Sequence, residues 1–115
     1  MKATIQNTKL MRIDKIFKKH KPQGLGFSDN DVIIIELKTN DGNKFTQDFY
    51  CRLKGDGTIG KSINKTQERR QEELQIFIKK YISKDEKYNV RENIDKWKGK
   101  EVEAEKINGG YAIKI

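Results

Sequence analysis

The sequence predicts one mainly β domain in which strands and a helix follow the order β-β-β-α-β-β, as in a small barrel, with a short extra helix before the fourth strand. Two hairpin signals support this fold, with turns at 40–43 and 108–110. Between them, at 65–83, apolar residues recur three and four positions apart, as on one face of a helix. The 115 residues suffice for one modest core, so 1–115 is predicted to be a single domain.

The N-terminal stretch is compatible with two structures. Leu10, Ile13 and Phe17 are spaced as on a helix, whereas Met11 and Ile13 alternate with charged residues, which suits a strand. The sequence alone does not decide between a strand and a helix for residues 9–17. A lysine-rich loop with one proline and two glycines is predicted to follow.

The first hairpin joins a strand at 32–38 to a strand at 44–54. Asp41-Gly42 supplies the positive φ angle that a tight turn needs. Side chains alternate along a strand, so one face of the second strand is apolar and is predicted to enter the core. The other face is mostly basic and carries Lys44, Thr46, Asp48, Tyr50, Arg52 and Lys54.

The helix predicted at 65–83 buries an apolar stripe that includes Leu74 and Phe77. A second, short helix is predicted to follow Asn89, because Glu92 completes a capping box, and to stop at Gly99. It places Trp97 in the core.

The second hairpin is predicted to separate apolar from acidic side chains. Alternation sends Val102 and Ala104 inward on its first strand. The same alternation sends Tyr111, Ile113 and Ile115 inward on its second strand. Three side chains of the first strand then point outward: Glu101, Glu103 and Glu105.

The chain is basic, with 25 Lys and Arg against 17 Asp and Glu, a net charge of +8. Each half, divided at Gly57, carries about +4. The charge is therefore not a tail but is concentrated in patches at 9–21 and 44–65. A well-solvated protein also has a Lys-rich surface, so the net charge alone does not indicate nucleic-acid binding. The positions of the basic residues are more informative than their number.

Several classes of protein are excluded by residue type. Cys51 and His20 are single, so neither a disulfide, a zinc site nor a redox pair is predicted, and no metal or cofactor is expected. The N-terminus has no apolar region of the signal-peptide type, and the longest apolar run is Val32–Ile35. A cytoplasmic protein without a membrane partner is predicted.

The segment Gly55–Ser62 matches the phosphate-binding P-loop pattern GxxxxGKS. A P-loop, however, follows a strand of a parallel sheet, and here the preceding strand is the return arm of a hairpin. The sequence therefore predicts that the protein is not an enzyme. Two interpretations remain for the segment, a flexible connector or an anion-binding nest in which Lys61 and backbone amides contact phosphate.

The closing segments Trp97–Ala104 and Gly109–Lys114 resemble the last two strands of OB-fold single-stranded nucleic-acid-binding proteins of phages and archaea. With the order of elements, the resemblance covers nearly the whole chain. It implies that single strands bind across the second and third strands and the flanking loops. The extra helix and the lack of an acidic C-terminal tail are departures, and the second puts partner docking through a tail in doubt.

The expected function is sequence-tolerant, non-enzymatic binding of single-stranded DNA in replication, recombination or viral genome handling, with RNA and the oligomeric state left open. Positive charge along the backbone path and rings for base stacking are what such binding requires. The candidate residues are Lys18, Lys19, Lys21, Phe27, Lys38, Lys44, Tyr50, Arg52, Lys54 and Lys61. The alternative is a small protein-interaction or regulatory domain, viral or host, whose basic face docks an acidic protein.

Overall fold

The computed structural model describes residues 1–12, 31–62 and 65–115. In this part of the chain five strands and two helices are found. Their bounds are β1 Lys2–Arg12, β2 Asp31–Thr39, β3 Lys44–Cys51, α1 Lys65–Phe77, α2 Val90–Asn93, β4 Glu101–Ile107 and β5 Gly110–Ile113. A π-helical turn, Ile78–Ile82, extends α1, and a 3₁₀ turn, Ile94–Trp97, extends α2.

The strands form one antiparallel sheet in the order β3-β2-β1-β4-β5. β1 pairs with both β2 and β4, and its register with β2 shifts between Ile5 and Asn7, which bends the strand. The two outer strands meet through side chains. The rings of Phe45 and Tyr111 lie 5.8 Å apart, and the Ile113 N–H donates to Gln47 Oε1 at 3.4 Å. The sheet is therefore a nearly closed, OB-fold-like barrel, which confirms the predicted fold class.

The structure decides between strand and helix only for the first part of the segment 9–17. Lys9 to Arg12 belong to β1 and pair with β2. The residues at 13–17 and the predicted loop after them lie outside the described ranges. No helix among the residues that the structure describes is long and apolar enough to cross a membrane.

The predicted first hairpin is confirmed, but its second strand, predicted at 44–54, ends at Cys51. Its turn contains Gly42 at φ +94°. The Asp41 carboxylate accepts hydrogen bonds from the Thr39 hydroxyl and from Asn43 Nδ2. The bond from Thr39 is the main cause of a lowered pKa at Asp41. These bonds hold the end of the hairpin in one conformation.

Both predicted helices are confirmed. Leu74, Phe77 and Ile78 are buried on one side of α1 and its extension. At α2, Asn89 Oδ1 accepts the Glu92 N–H at 3.0 Å, the bond expected of an N-cap.

Trp97 lies in the core as predicted. Its side chain is fully buried, and its Nε1–H donates to the Tyr88 hydroxyl at 2.8 Å. Phe77 packs between Trp97 and Phe49, with ring centroids 5.6 and 5.0 Å away. The α1 helix thus joins β3 to the 3₁₀ turn after α2 through one stacked and one edge-to-face aromatic contact.

The second hairpin follows the predicted alternation with one exception. Val102, Ala104 and Ile113 are buried, and the glutamates of β4 point outward. The prediction that Ile115 faces inward is wrong, because β5 ends at Ile113 and the Ile115 side chain is 41% exposed.

The turn after β3 docks against the start of α2. The Gly57 carbonyl accepts the Val90 N–H at 3.0 Å, and Arg91 Nη1 donates to the Gly55 carbonyl at 3.0 Å. Gly57 has φ +89°, a region that residues with a Cβ rarely adopt. The close approach of the two segments therefore depends on glycine at this position.

We expect Gly57→Ala to destabilise the domain by about 2 kcal/mol, because the substitution adds strain at positive φ and a steric clash. The new Cβ would clash with Asn89 Oδ1 and with Arg91 Cβ. Gly55→Ala is the matched control, since nothing lies within 4 Å of its Cβ position. Urea unfolding measures both, and equal effects would contradict the role assigned to Gly57.

Candidate nucleic-acid interface

The outer surface of β1, β2 and β3, called here the outer face, carries the predicted site residues that belong to strands. Core residues of β2 and β3 alternate with outward ones, except that Val32 is buried although its register places it on the outward side. Cross-strand pairing therefore gives the order of side chains on this face. From the hairpin turn inward, the pairs between β2 and β3 are Lys38–Lys44, Glu36–Thr46, Ile34–Asp48 and Val32–Tyr50. β1 contributes Thr4, Asn7, Lys9 and Met11 to the same four positions.

Two lysines stand directly opposite each other at the hairpin end of the outer face. Lys38 and Lys44 are register partners and both are exposed. Like charges placed directly across two strands destabilise a sheet. An anion held between the two ammonium groups would remove that repulsion, so this pair is suited to bind a phosphate.

Tyr50 lies in the middle of the face, half-buried and opposite Val32. The pKa of Tyr50 lies above its ordinary value, first because of burial and second because of the nearby Asp48 carboxylate. The Arg70 guanidinium opposes this shift without cancelling it. Arg70 comes from α1, so the helix brings a cation to this ring. Arg70 acts on Tyr50 less strongly than the Asp48 carboxylate does. The exposed part of the ring is an aromatic surface of the kind on which nucleic-acid bases stack.

Two carboxylates interrupt the positive charge of this face. Asp48 lies opposite Ile34, and Glu36 lies opposite Thr46; both are exposed. Partial burial raises the pKa of Asp48 above its ordinary value of 3.8. The outer face is therefore basic at its ends and mixed in its middle.

The second basic cluster, Arg52 and Lys54, follows the end of β3 and is positioned by α1. The buried amide of Gln71 accepts the Arg52 N–H at 3.0 Å and donates to the Gly60 carbonyl at 2.7 Å. Arg52 is half-buried and Lys54 exposed, and their aliphatic stems pass beside Gly60. Lys44 and Arg52 are about 25 Å apart along the strand direction, since a strand rises about 3.3 Å per residue.

The segment Gly55–Ser62 does not have the geometry of a P-loop. β3 is antiparallel to β2, and α1 begins at Lys65 rather than at the Lys-Ser pair. Asp56 occupies the turn itself, where its carboxylate accepts the Thr58 N–H at 3.0 Å and the Thr58 hydroxyl at 2.7 Å.

The amides of the same segment are already bonded. The Gly57 N–H donates to the Lys54 carbonyl at 2.9 Å, and the Gly60 N–H donates to the Arg52 carbonyl at 2.7 Å. These two donors and the Thr58 N–H, which bonds to Asp56, are not open to phosphate. The Lys61 side chain remains exposed.

The structure assembles the predicted residues only in part. It places Lys38 with Lys44, and Arg52 with Lys54, on either side of Tyr50. Four other predicted residues lie outside the described ranges: Lys18, Lys19, Lys21 and Phe27.

The sequence-based site omitted four basic residues: Lys9 and Arg70 lie on or near the outer face, whereas Arg12 and Arg91 lie at the barrel end. Lys9 is opposite Ile34 from the β1 side, and Arg70 is near Tyr50. Arg12 and Arg91 line a groove of about 670 Å³ at the barrel end, together with Lys54 and the buried Asp31. Lys9 and Arg12 belong to a basic patch visible in the sequence, whereas Arg70 and Arg91 depend on how the helices pack.

The acidic side chains of β4 lie on the other hairpin. Lys2 Nζ is 4.0 Å from Glu101 Oε2 and 3.7 Å from Glu103 Oε1. The N-terminal ammonium also lies 3.7 Å from Glu103 Oε2. Acidic and basic side chains thus lie on different hairpins, as the sequence predicts, but Glu101 and Lys38 are both register partners of Thr4, so the acidic side chains lie on the same surface beyond β1. The N-terminal residues partly neutralise them.

Comparison with known proteins finds no match for this chain, neither among models of protein families, nor among curated proteins, nor among solved structures.

The Lys38–Lys44 pair predicts a stabilising substitution. Lys44→Gln should raise the free energy of unfolding by about 0.5 kcal/mol at low salt, because it removes a cross-strand repulsion. The gain should shrink at about 1 M salt, where the Debye length is about 3 Å. Lys9→Gln is the control, since Lys9 pairs with Ile34 rather than with a charge. Equal gains in both variants would mean that only the net charge matters.

The pKa of Asp48 predicts a pH-dependent effect on stability. A carboxyl group whose pKa is raised on folding disfavours the folded state once it ionises. Asp48→Asn should therefore stabilise the domain at pH 7 relative to wild type. This advantage should disappear as the pH falls through the raised pKa and below 3.8. Thermal unfolding at pH 7 and pH 3 tests it, and an equal gain at both values would refute it.

Proposed function

We propose that this protein binds single-stranded DNA through the outer face, in replication, recombination or viral genome handling, and that it performs no chemistry on the strand. The observation that carries the proposal is the arrangement of the Lys38–Lys44 pair and the Arg52–Lys54 cluster on either side of Tyr50. The barrel topology supports it, since OB folds commonly bind oligonucleotides on strands 2 and 3.

On this proposal the two basic clusters contact backbone phosphates, and Tyr50 stacks on a base between them. Each stacked base contributes about 1–3 kcal/mol and is largely indifferent to sequence. The acidic β4 surface repels the backbone and confines the strand to the outer face. A longer strand could continue over the exposed Lys61, which follows β3. It could also continue over the exposed Met11 on β1, which lies across Val32 from Tyr50.

Fluorescence anisotropy with labelled (dT)30 and (rU)30 tests the proposal. Binding at low salt should weaken as salt rises, with a log–log slope of about −2 to −4 for three to five phosphate contacts. Lys38→Ala with Lys44→Ala, and Arg52→Ala alone, should each reduce both the affinity and the slope. Lys96→Ala is the charge-matched control, because Lys96 is exposed on the 3₁₀ turn after α2 and not on the outer face.

The role of the Tyr50 ring is tested by two substitutions. Tyr50→Ala should weaken binding about tenfold, the scale of one lost stacking contact, whereas Tyr50→Phe should keep most of the affinity. The absence of binding to either thirty-mer at low salt would refute the proposal. Binding of polyglutamate in place of nucleic acid would favour the alternative, a basic face that docks an acidic protein.

A further inference from the structure

Asp48 occupies a position that phosphate binding does not explain. It lies on the outer face two residues before Tyr50, between the two basic clusters. Its carboxylate is exposed, and within the described residues it forms no hydrogen bond and no ion pair. Its neighbour across the strands is Ile34, and partial burial raises its pKa.

A carboxylate in the path of a polyanion is unfavourable if it faces the backbone. Its repulsion of phosphate is long-ranged, and it gives up hydration beside an apolar side chain. The same carboxylate is favourable if it faces bases, because ionised Asp accepts hydrogen bonds from donor groups at base edges. Whether Asp48 weakens or strengthens binding therefore depends on whether the backbone or a base lies next to Tyr50.

Side chains two positions apart on a strand share a face and are separated by about 6.7 Å. A base stacked on the Tyr50 ring therefore has its edge within reach of the Asp48 carboxylate. Cytosine presents an amino donor at ring position 4, whereas thymine presents a carbonyl acceptor there. The carboxylate would bond to the first group and repel the second.

We propose that Asp48 selects the base that stacks on Tyr50, accepting a hydrogen bond from the exocyclic amino group of cytosine and disfavouring thymine. This rests on the proposed single-strand binding and adds a base preference to it. The preference is modest, because one exposed hydrogen bond to a charged group competes with water. Strands of every sequence still bind through the two basic clusters.

The test compares (dC)12, (dT)12 and an abasic twelve-mer by anisotropy competition at low salt and neutral pH. Wild-type protein should bind (dC)12 about fivefold more tightly than (dT)12, the scale of one net hydrogen bond. Asp48→Ala should strengthen binding of (dT)12 and of the abasic strand but not of (dC)12, so that the ratio falls close to one. Asp48→Asn should also remove the preference, because its amide can donate to the thymine carbonyl and equally accept from the cytosine amino group.

Glu36→Ala is the matched control, since Glu36 is an exposed carboxylate of the same face but lies opposite Thr46, away from Tyr50. It should strengthen binding of all three strands by one factor and leave their ratio unchanged. Equal affinity of wild type for (dC)12 and (dT)12, or an equal gain for all three strands in Asp48→Ala, would overturn the base-selecting role. Failure to bind any of the three would instead refute the proposed function.

Discussion

The pairing of β1 with both hairpins is the constraint on which the rest of the structure depends. β1 pairs with β2 along most of its length and with β4 over Lys2–Thr4. A strand shared in this way, bent by a bulge, forces the sheet to curl, and Phe45 and Tyr111 then meet across the remaining gap. The two hairpins are thereby held on different parts of one surface. The separation of basic from acidic side chains is a consequence of this topology.

Core packing and the site are connected through α1. Phe77 links Phe49 of the first hairpin to Trp97, so the helix is fixed in place by aromatic contacts. Gln71, on the same helix, binds the backbone at Arg52 and Gly60. The orientation of the basic cluster after β3 therefore depends on the same packing that stabilises the barrel.

The sequence predicts the elements well because their signals are local. Asp41-Gly42, the alternation of β4 and the cap at Asn89 each depend on residues within a few positions, and each is confirmed. The position of Arg70 beside Tyr50 could not be predicted, because it depends on how α1 docks on β3. The glycine-rich segment was open to misinterpretation, since the pattern does not show that the Asp56 carboxylate occupies the turn.

Mixed charge on the outer face bears on how a single strand would be distinguished from a duplex. A uniformly basic surface attracts any phosphate backbone, paired or unpaired. A face with cations at its ends, and with an aromatic ring and a carboxylate between them, favours a strand whose bases can turn toward it. In a duplex the bases are stacked and paired, so Tyr50 has nothing to stack on and Asp48 meets only backbone. On the proposed binding mode, Asp48 lowers the positive charge of the face and at the same time makes the face selective.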